Sequence, residues 1–306
     1  MSVAWMKPLS SLKACSPGRP GLCYNGAMNV DEMGAAVRSA LEPFPCIAFA
    51  YLFGSAVAQR LRLDSDVDVA VYFDSGRQLQ IESERREDVE ADIQLALERA
   101  TNRNVDLLVL NRAPASLCAA AVLDGIAVLI RDQSIHSRYF LAVTNVAMDF
   151  RDTAREYRVI RARSRSLSES DRARVERILD FIEQELDDRH KFTDVGLDRY
   201  SRDRDLQRNL DRWVEQLINA AIDTAKIVLA SERRPVPQTY AQILSELEAI
   251  DAFASLGRSL KPLAALRNLM AHEYLDVRFD RVRDFVLADV DAIAQMADIV
   301  RARWLS

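Results

Sequence analysis

The chain is poor in the residues that build soft-metal sites and disulfide frameworks. Four cysteines (Cys15, Cys23, Cys46, Cys118) are spread over 306 residues, with no CxxC pair and no histidine close by. That excludes a zinc ribbon and a disulfide scaffold, and predicts reduced thiols in a cytoplasm. Histidine occurs three times, as His136, His190 and His272. Lysine is almost as scarce: Lys7, Lys13, Lys191, Lys226 and Lys261 are the only five among 41 basic residues. An arginine bias this general reads as coding composition rather than as a binding surface. No apolar run approaches the ~20 residues of a membrane span, so no membrane partner is expected. Nor is there a net positive field for nucleic acid, since the formal charge is −5 and the pI about 5.4. DNA binding is therefore not expected, although a local patch can still hold RNA.

With 49% hydrophobic and 28% charged residues, the composition is that of a globular chain long enough for two domains. Residues 1–27 are punctuated by Pro, Gly and Ser, lack a signal-peptide apolar core and read as a loose leader. Residues 28–133 alternate. "DEMGAAVRSALE" has helical spacing, "CIAFAYLF", "VDVAVYF", "VDLLVL" and "GIAVLI" read as strands, and "IESERREDVEADIQLALERATN" as one long helix. Beyond about residue 134 the β signal stops. Residues 134–167 are expected to be a helical connector with a polar linker, and 168–306 place apolar residues at three-to-four spacing throughout, as in a helical bundle. The class is α+β, a small sheet domain followed by an all-α one.

One stretch of the first domain carries chemistry. In "FGSAVAQRLRLDSDVDVAVYFD", Gly54 and Ser55 end a strand and open a short helix, and Asp66 and Asp68 start the next strand. Alternation along a strand puts Asp66 and Asp68 on one face, where two carboxylates can hold hard divalent cations. Gly54 lets backbone approach a phosphate, and Ser55 offers a hydroxyl at a helix N-terminus. Asp106, opening another strand, supplies a third carboxylate that can ligate metal and help deprotonate an attacking hydroxyl. The order G-S-x10-D-x-D followed by a strand Asp resembles the DNA polymerase β-like nucleotidyltransferases, most closely their minimal (MNT) branch. The resemblance covers about residues 30–130 and implies a small mixed sheet, with Mg2+ at one or two positions on Asp66, Asp68 and Asp106. It also implies ATP phosphates at Gly54 and Ser55, and transfer of a nucleoside monophosphate to a hydroxyl.

The second constellation is "LRNLMAHEYLD", which gathers Arg267, Asn268, His272 and Tyr274. Taken alone it fits an ordinary packed helix, with Tyr274 near Leu263, Leu266 and Met270 on the helical wheel. The R-x4-H-x-Y pattern in an all-helical setting is similar to the HepT-type ribonucleases of the HEPN family, over about residues 168–304. That likeness implies metal-free RNA cleavage, with His272 as general acid/base, Arg267 holding the scissile phosphate and Asn268 supporting the site. Five residues of straight helix set Arg267 and His272 about 140° apart, so one site needs a bend or a homodimer seam. HEPN relatives are typically dimers, which implies a homodimer here.

In separate-chain relatives of this kind the MNT protein is the antitoxin and the HEPN protein the toxin. The resemblance then implies that AMP is transferred from ATP to Tyr274, placing charge and bulk beside the cleavage site. Fusion in one chain raises the effective concentration of the acceptor. Two other readings stay open. A small-molecule nucleotidyltransferase resembling the kanamycin-modifying enzymes would use the helices as a substrate pocket. A nucleotide-binding module with a dimerisation bundle would use neither chemistry.

Overall fold

The computed structural model describes residues 29–57, 66–76, 79–163, 166–272 and 279–305, with backbone alone at residues 56, 271 and 272. The leader and Tyr274 lie outside the described residues. Helix α1 (Val30–Leu41) starts at a capping box in which the Asn29 side chain accepts from Glu32 N–H while Glu32 accepts from Asn29 N–H. Strand β1 (Ile47–Phe53) runs into a 3₁₀ turn at Gly54–Ala56. Strand β2 (Val67–Phe73), helix α2 (Glu90–Thr101), strand β3 (Val105–Val109), helix α3 (Ala115–Asp124) and strand β4 (Ile126–Ile130) follow. The four strands form one mixed sheet in the order β3-β2-β1-β4. β1 is antiparallel to β2 and β4, whereas β2 and β3 are parallel, which a crossover through α2 permits. Alternation sorts the side chains. Ala50, Leu52, Val69 and Val71 meet Met33, Val37, Ile93 and Leu97 on the α1/α2 face. Phe49, Tyr51, Ala70 and Tyr72 pack on the other face against α3 and the next helix.

One expected element is shorter than its sequence pattern. The charged stretch 81–102 is not one helix; only Glu90–Thr101 is helical, and residues 79–89 form an irregular strap. The cause is tertiary. Ser83 N–H donates to Asn111 O, Gln80 N–H to the Tyr72 hydroxyl and Ala115 N–H to the Glu82 carboxylate. These bonds hold the strap along the ends of β2 and β3, with Glu82 in the left-handed region at φ 54°.

Helix α4 (Gln133–Arg163) spans 31 residues, roughly 46 Å. The segment expected to be a connector thus belongs to both cores. Ile135, Tyr139, Val143 and Val146 pack under the sheet, while Phe150, Ala154, Tyr157 and Ile160 enter the bundle. The bundle comprises α5 (Glu169–Asp187), α6 (Leu197–Arg202), α7 (Arg204–Ser231), α8 (Tyr240–Ser245), α9 (Gly257–His272), α10 (Phe279–Asp284) and α11 (Val290–Val300). α7 is its axis, capped by the Asp203 carboxylate and buried nearly all round from Leu217 to Ser231. Lys226 on α7 is 2% exposed and sits 2.6 Å from both Glu156 of α4 and Asp223. Arg174 of α5 joins the same cluster through Glu156, so a compensated charge network ties three helices together. Among the described residues no helix is long and apolar enough to cross a membrane.

Candidate functional site

The sheet brings the expected acidic residues together. Asp68 pairs with Asp106 in the parallel β2/β3 register, and parallel partners in register project to the same face. Phe53, the last residue of β1, pairs with Asp68 from the other side, which sets the Gly54–Ala56 turn beside that carboxylate. The Ser55 N–H donates to Asp68. Gly54 has φ 70°, and a Cβ built there would stand 2.0 Å from Asp68 Oδ2. Glycine is required twice at this position, for its backbone conformation and for the space the carboxylate takes. Burial, then the neighbouring charge of Asp106, pushes the Asp68 carboxyl above its usual range; the Ser55 N–H opposes this and Asp66 adds to it.

Oxygen ligands on one face, unbalanced in charge, suit a hard divalent cation. Among the described residues no three acidic, histidine or cysteine side chains already stand at mutual chelating distance. Mg2+ does not need such a cage, because it usually takes one or two carboxylates together with water and substrate phosphates. The donor set of Asp66, Asp68 and Asp106 fits that mode.

The second constellation is differently situated. α9 carries Arg267 and Asn268 and remains α-helical through His272, with no 3₁₀ or π interruption between them. Arg267 is fully engaged. Its guanidinium donates to Asp149 Oδ2 on α4 at 3.1 Å and to Asn219 Oδ1 on α7 at 3.4 Å. It also lies 4.5 Å over the ring of Tyr240, and its side chain is only 11% exposed. Asn268, buried, donates through Nδ2 to Glu82 Oε2 at 3.4 Å, across 186 residues of sequence. Glu82, Asp149, Asn219 and Tyr240 were not among the residues the sequence singled out. Each is an unremarkable residue in its own segment, and only the tertiary fold brings it to α9.

Among the described residues the two constellations are not joined. Asp68 stands near the start of β2, while the strap that meets α9 leaves the far end after Phe73, five residues or about 17 Å along the strand.

Comparisons with known proteins divide the chain at α4. Residues 36–134 match the family profile described as polymerase beta, nucleotidyltransferase, and residues 182–300 match ribonuclease HepT-like. No curated protein matches the chain. Among solved structures, a toxin–antitoxin with AMP-PNP aligns at 20% identity and TM-score 0.33, over 39% of this chain and 90% of that one. A tri-AMPylated Shewanella oneidensis HEPN toxin in complex with MNT antitoxin aligns at 20% identity and TM-score 0.36, over 45% of this chain and 100% of that one. A mutant MntA–HpeT toxin–antitoxin gives 19%, 0.31, 40% and 90% in the same measures. Overlaps this slight say nothing about individual residues. The chain thus joins a segment that matches a nucleotidyltransferase profile to a segment that matches a ribonuclease HepT-like profile.

Proposed function

We propose that the chain is a self-modifying ribonuclease, in which the first half adenylylates the second and so silences it. The observation that carries the reading is the in-register Asp68–Asp106 pair beside the Gly54–Ser55 turn. In this reading Asp66, Asp68 and Asp106 would hold Mg2+, which when bound would neutralise phosphate charge on ATP. Gly54 and Ser55 present backbone N–H groups to the triphosphate. An acceptor oxygen attacks the α-phosphorus of ATP, the bond from that phosphorus to the bridging oxygen breaks, and pyrophosphate leaves. The acceptor's proton passes to Asp106 or to water. The acceptor is the Tyr274 hydroxyl, and the product is a tyrosyl–AMP phosphodiester.

The ribonuclease half uses His272 to move the proton of the attacking 2′-hydroxyl or of the leaving oxygen, and Arg267 to compensate phosphate charge. Because α9 runs unbroken from Arg267 to His272, a homodimer seam is favoured over a bend as the way to complete one site. The placement of α9 and the acidic cluster at opposite ends of the sheet likewise favours transfer between two copies.

The test is incubation of the full chain with labelled ATP and Mg2+, with and without an aminoglycoside. Label is expected on the protein. Label appearing on the aminoglycoside instead would establish the small-molecule reading. Among the described residues, the cleft between the strap and the bundle is lined by residues 79–84, α8, α9 and Arg281, and not by Asp66, Asp68 or Asp106.

A further inference from the structure

Between the strap and α9 lies a cleft of about 660 Å³ whose two walls carry opposite charge. Arg258, Lys261, Asn268 and Arg281 line the bundle side, and Glu82 and Glu84 the strap side. Glu84 is ion-paired with Lys261, and Glu82 accepts from Asn268. The first half of the chain thus places two carboxylates on the residues of α9 that would otherwise present N–H donors to an anion. Glu82 reaches this position at a cost, for it is a non-glycine residue at φ 54°. It is also held from behind by Ala115 N–H at the start of α3.

We propose that this cleft is a docking site for the phosphodiester backbone of single-stranded RNA, and that Glu82 and Glu84 occupy it as carboxylate stand-ins until RNA displaces them. This rests on the ribonuclease reading of α9 and adds to it a second, non-covalent brake that acts before any nucleotide transfer. The chemistry of the match is direct. Carboxylate and phosphodiester oxygens both accept from an amide N–H and an ammonium, so the two compete for one set of donors. Asp149 on Arg267 extends the same logic to the neighbouring side chain of the motif. Besides the donors held by Glu82 and Glu84, the facing wall carries Arg281 and, at the rim, Arg258, which is 90% exposed and 3.9 Å from Glu248.

Binding to a single-stranded RNA made uncleavable by 2′-O-methyl groups tests this in the full chain. A Glu82→Ala/Glu84→Ala double variant is expected to bind roughly tenfold more tightly than wild type, with a steeper salt dependence. Adding Lys261→Glu should return it to wild-type affinity or below. Hydrogen exchange on the unmutated chain gives a readout free of folding artefacts: amides of residues 79–84 should exchange faster when the RNA is added. Equal affinity of wild type and double variant, or unchanged exchange, overturns the proposal. Cleavage of ordinary RNA separates the two layers. Tighter binding without cleavage removes the ribonuclease reading and leaves the strap, whereas equal cleavage by wild type and double variant leaves the ribonuclease and removes the strap.

Discussion

The two constellations are opposites in electrostatic balance. Around Asp68 the neighbours are of like sign: Asp106 in register beside it and Asp66 two residues before it. Around Arg267 the charge is already answered, by Asp149, by the Tyr240 ring and by Asn219. In the proposed function a cation and substrate complete the first site, whereas the charge of the second is balanced within the fold. A fold tolerates the first kind of site only by carrying an uncompensated carboxylate, which costs stability in exchange for chemistry. The second kind contributes to stability and must be opened before it can act.

The sharpest way to break this contrast is at the acidic cluster. Replacing Asp68 with Asn should lower nucleotidyl transfer by about a thousandfold, the equivalent of several kcal/mol of lost charge stabilisation. The same change should raise the melting temperature of the metal-free protein at neutral pH. The sign follows from Asp68's raised pKa: such a group favours the fold below its unfolded pKa and loses that contribution as pH rises through its folded pKa. If the Asp68→Asn protein melts lower than wild type, the unbalanced-carboxylate account is wrong. Gly54→Ala should follow closely, because the added methyl meets Asp68 and the backbone is strained for any L residue. A loss of about 1–3 kcal/mol of stability, read by urea unfolding, should accompany the loss of transfer.

On the compensated side the effects should be smaller and mainly structural. Arg267→Ala removes a stacked, hydrogen-bonded cation and is expected to cost about 1–3 kcal/mol of unfolding free energy, whatever it does to RNA cleavage. Loss of cleavage with no change in stability would show that the Asp149 and Tyr240 contacts are incidental. Mixing an Asp66→Asn/Asp68→Asn chain with wild type should place label from ATP on the mutant chain. Label confined to the wild-type copy would exclude transfer between copies.

The smallest expected effect concerns pH. Burial pushes the Glu82 carboxyl up to about 7, against the lowering influence of Ala115 N–H, Asn268 and Arg267. Cys118 and Tyr139 face it from α3 and α4, and both are themselves displaced upward, mainly by burial. Glu82 therefore supports the fold most below pH 4.5, its usual value, and that support drains away as pH rises through about 7. Glu82→Gln should flatten the fall in melting temperature between pH 5 and pH 8. An unchanged slope would mean that Glu82 does not titrate in this window.

How much of this was legible in the sequence follows from how local each feature is. Asp68 lies in β2 and Asp66 immediately precedes that strand, so a period of two was enough to expect both on one face, and β3 carries Asp106 in register with Asp68. α9 was legible for the same reason, with Arg267, Asn268 and His272 inside one helical run. The strap was not. "IESERREDV" has helix-forming composition, and only the bonds to Tyr72, Asn111 and Ala115 keep its first residues out of a helix. The sequence of α4, ending in a polar stretch, reads as a helical connector. Its buried residues, spaced three or four apart from Ile135 to Ile160, serve two different cores in succession. The Glu82–Asn268 contact carries no sequence signal at all, since neither residue predicts a partner 186 positions away.

The central claim is that the acidic cluster acts on the chain's own tyrosine. Mass analysis of the peptide containing Tyr274, from full-length protein before and after ATP and Mg2+, tests it most directly. The account predicts one or more adenylyl units on that peptide in wild type and none in the Asp66→Asn/Asp68→Asn protein. An unmodified Tyr274 peptide from protein that consumes ATP normally, or modification that persists in the double variant, would contradict it.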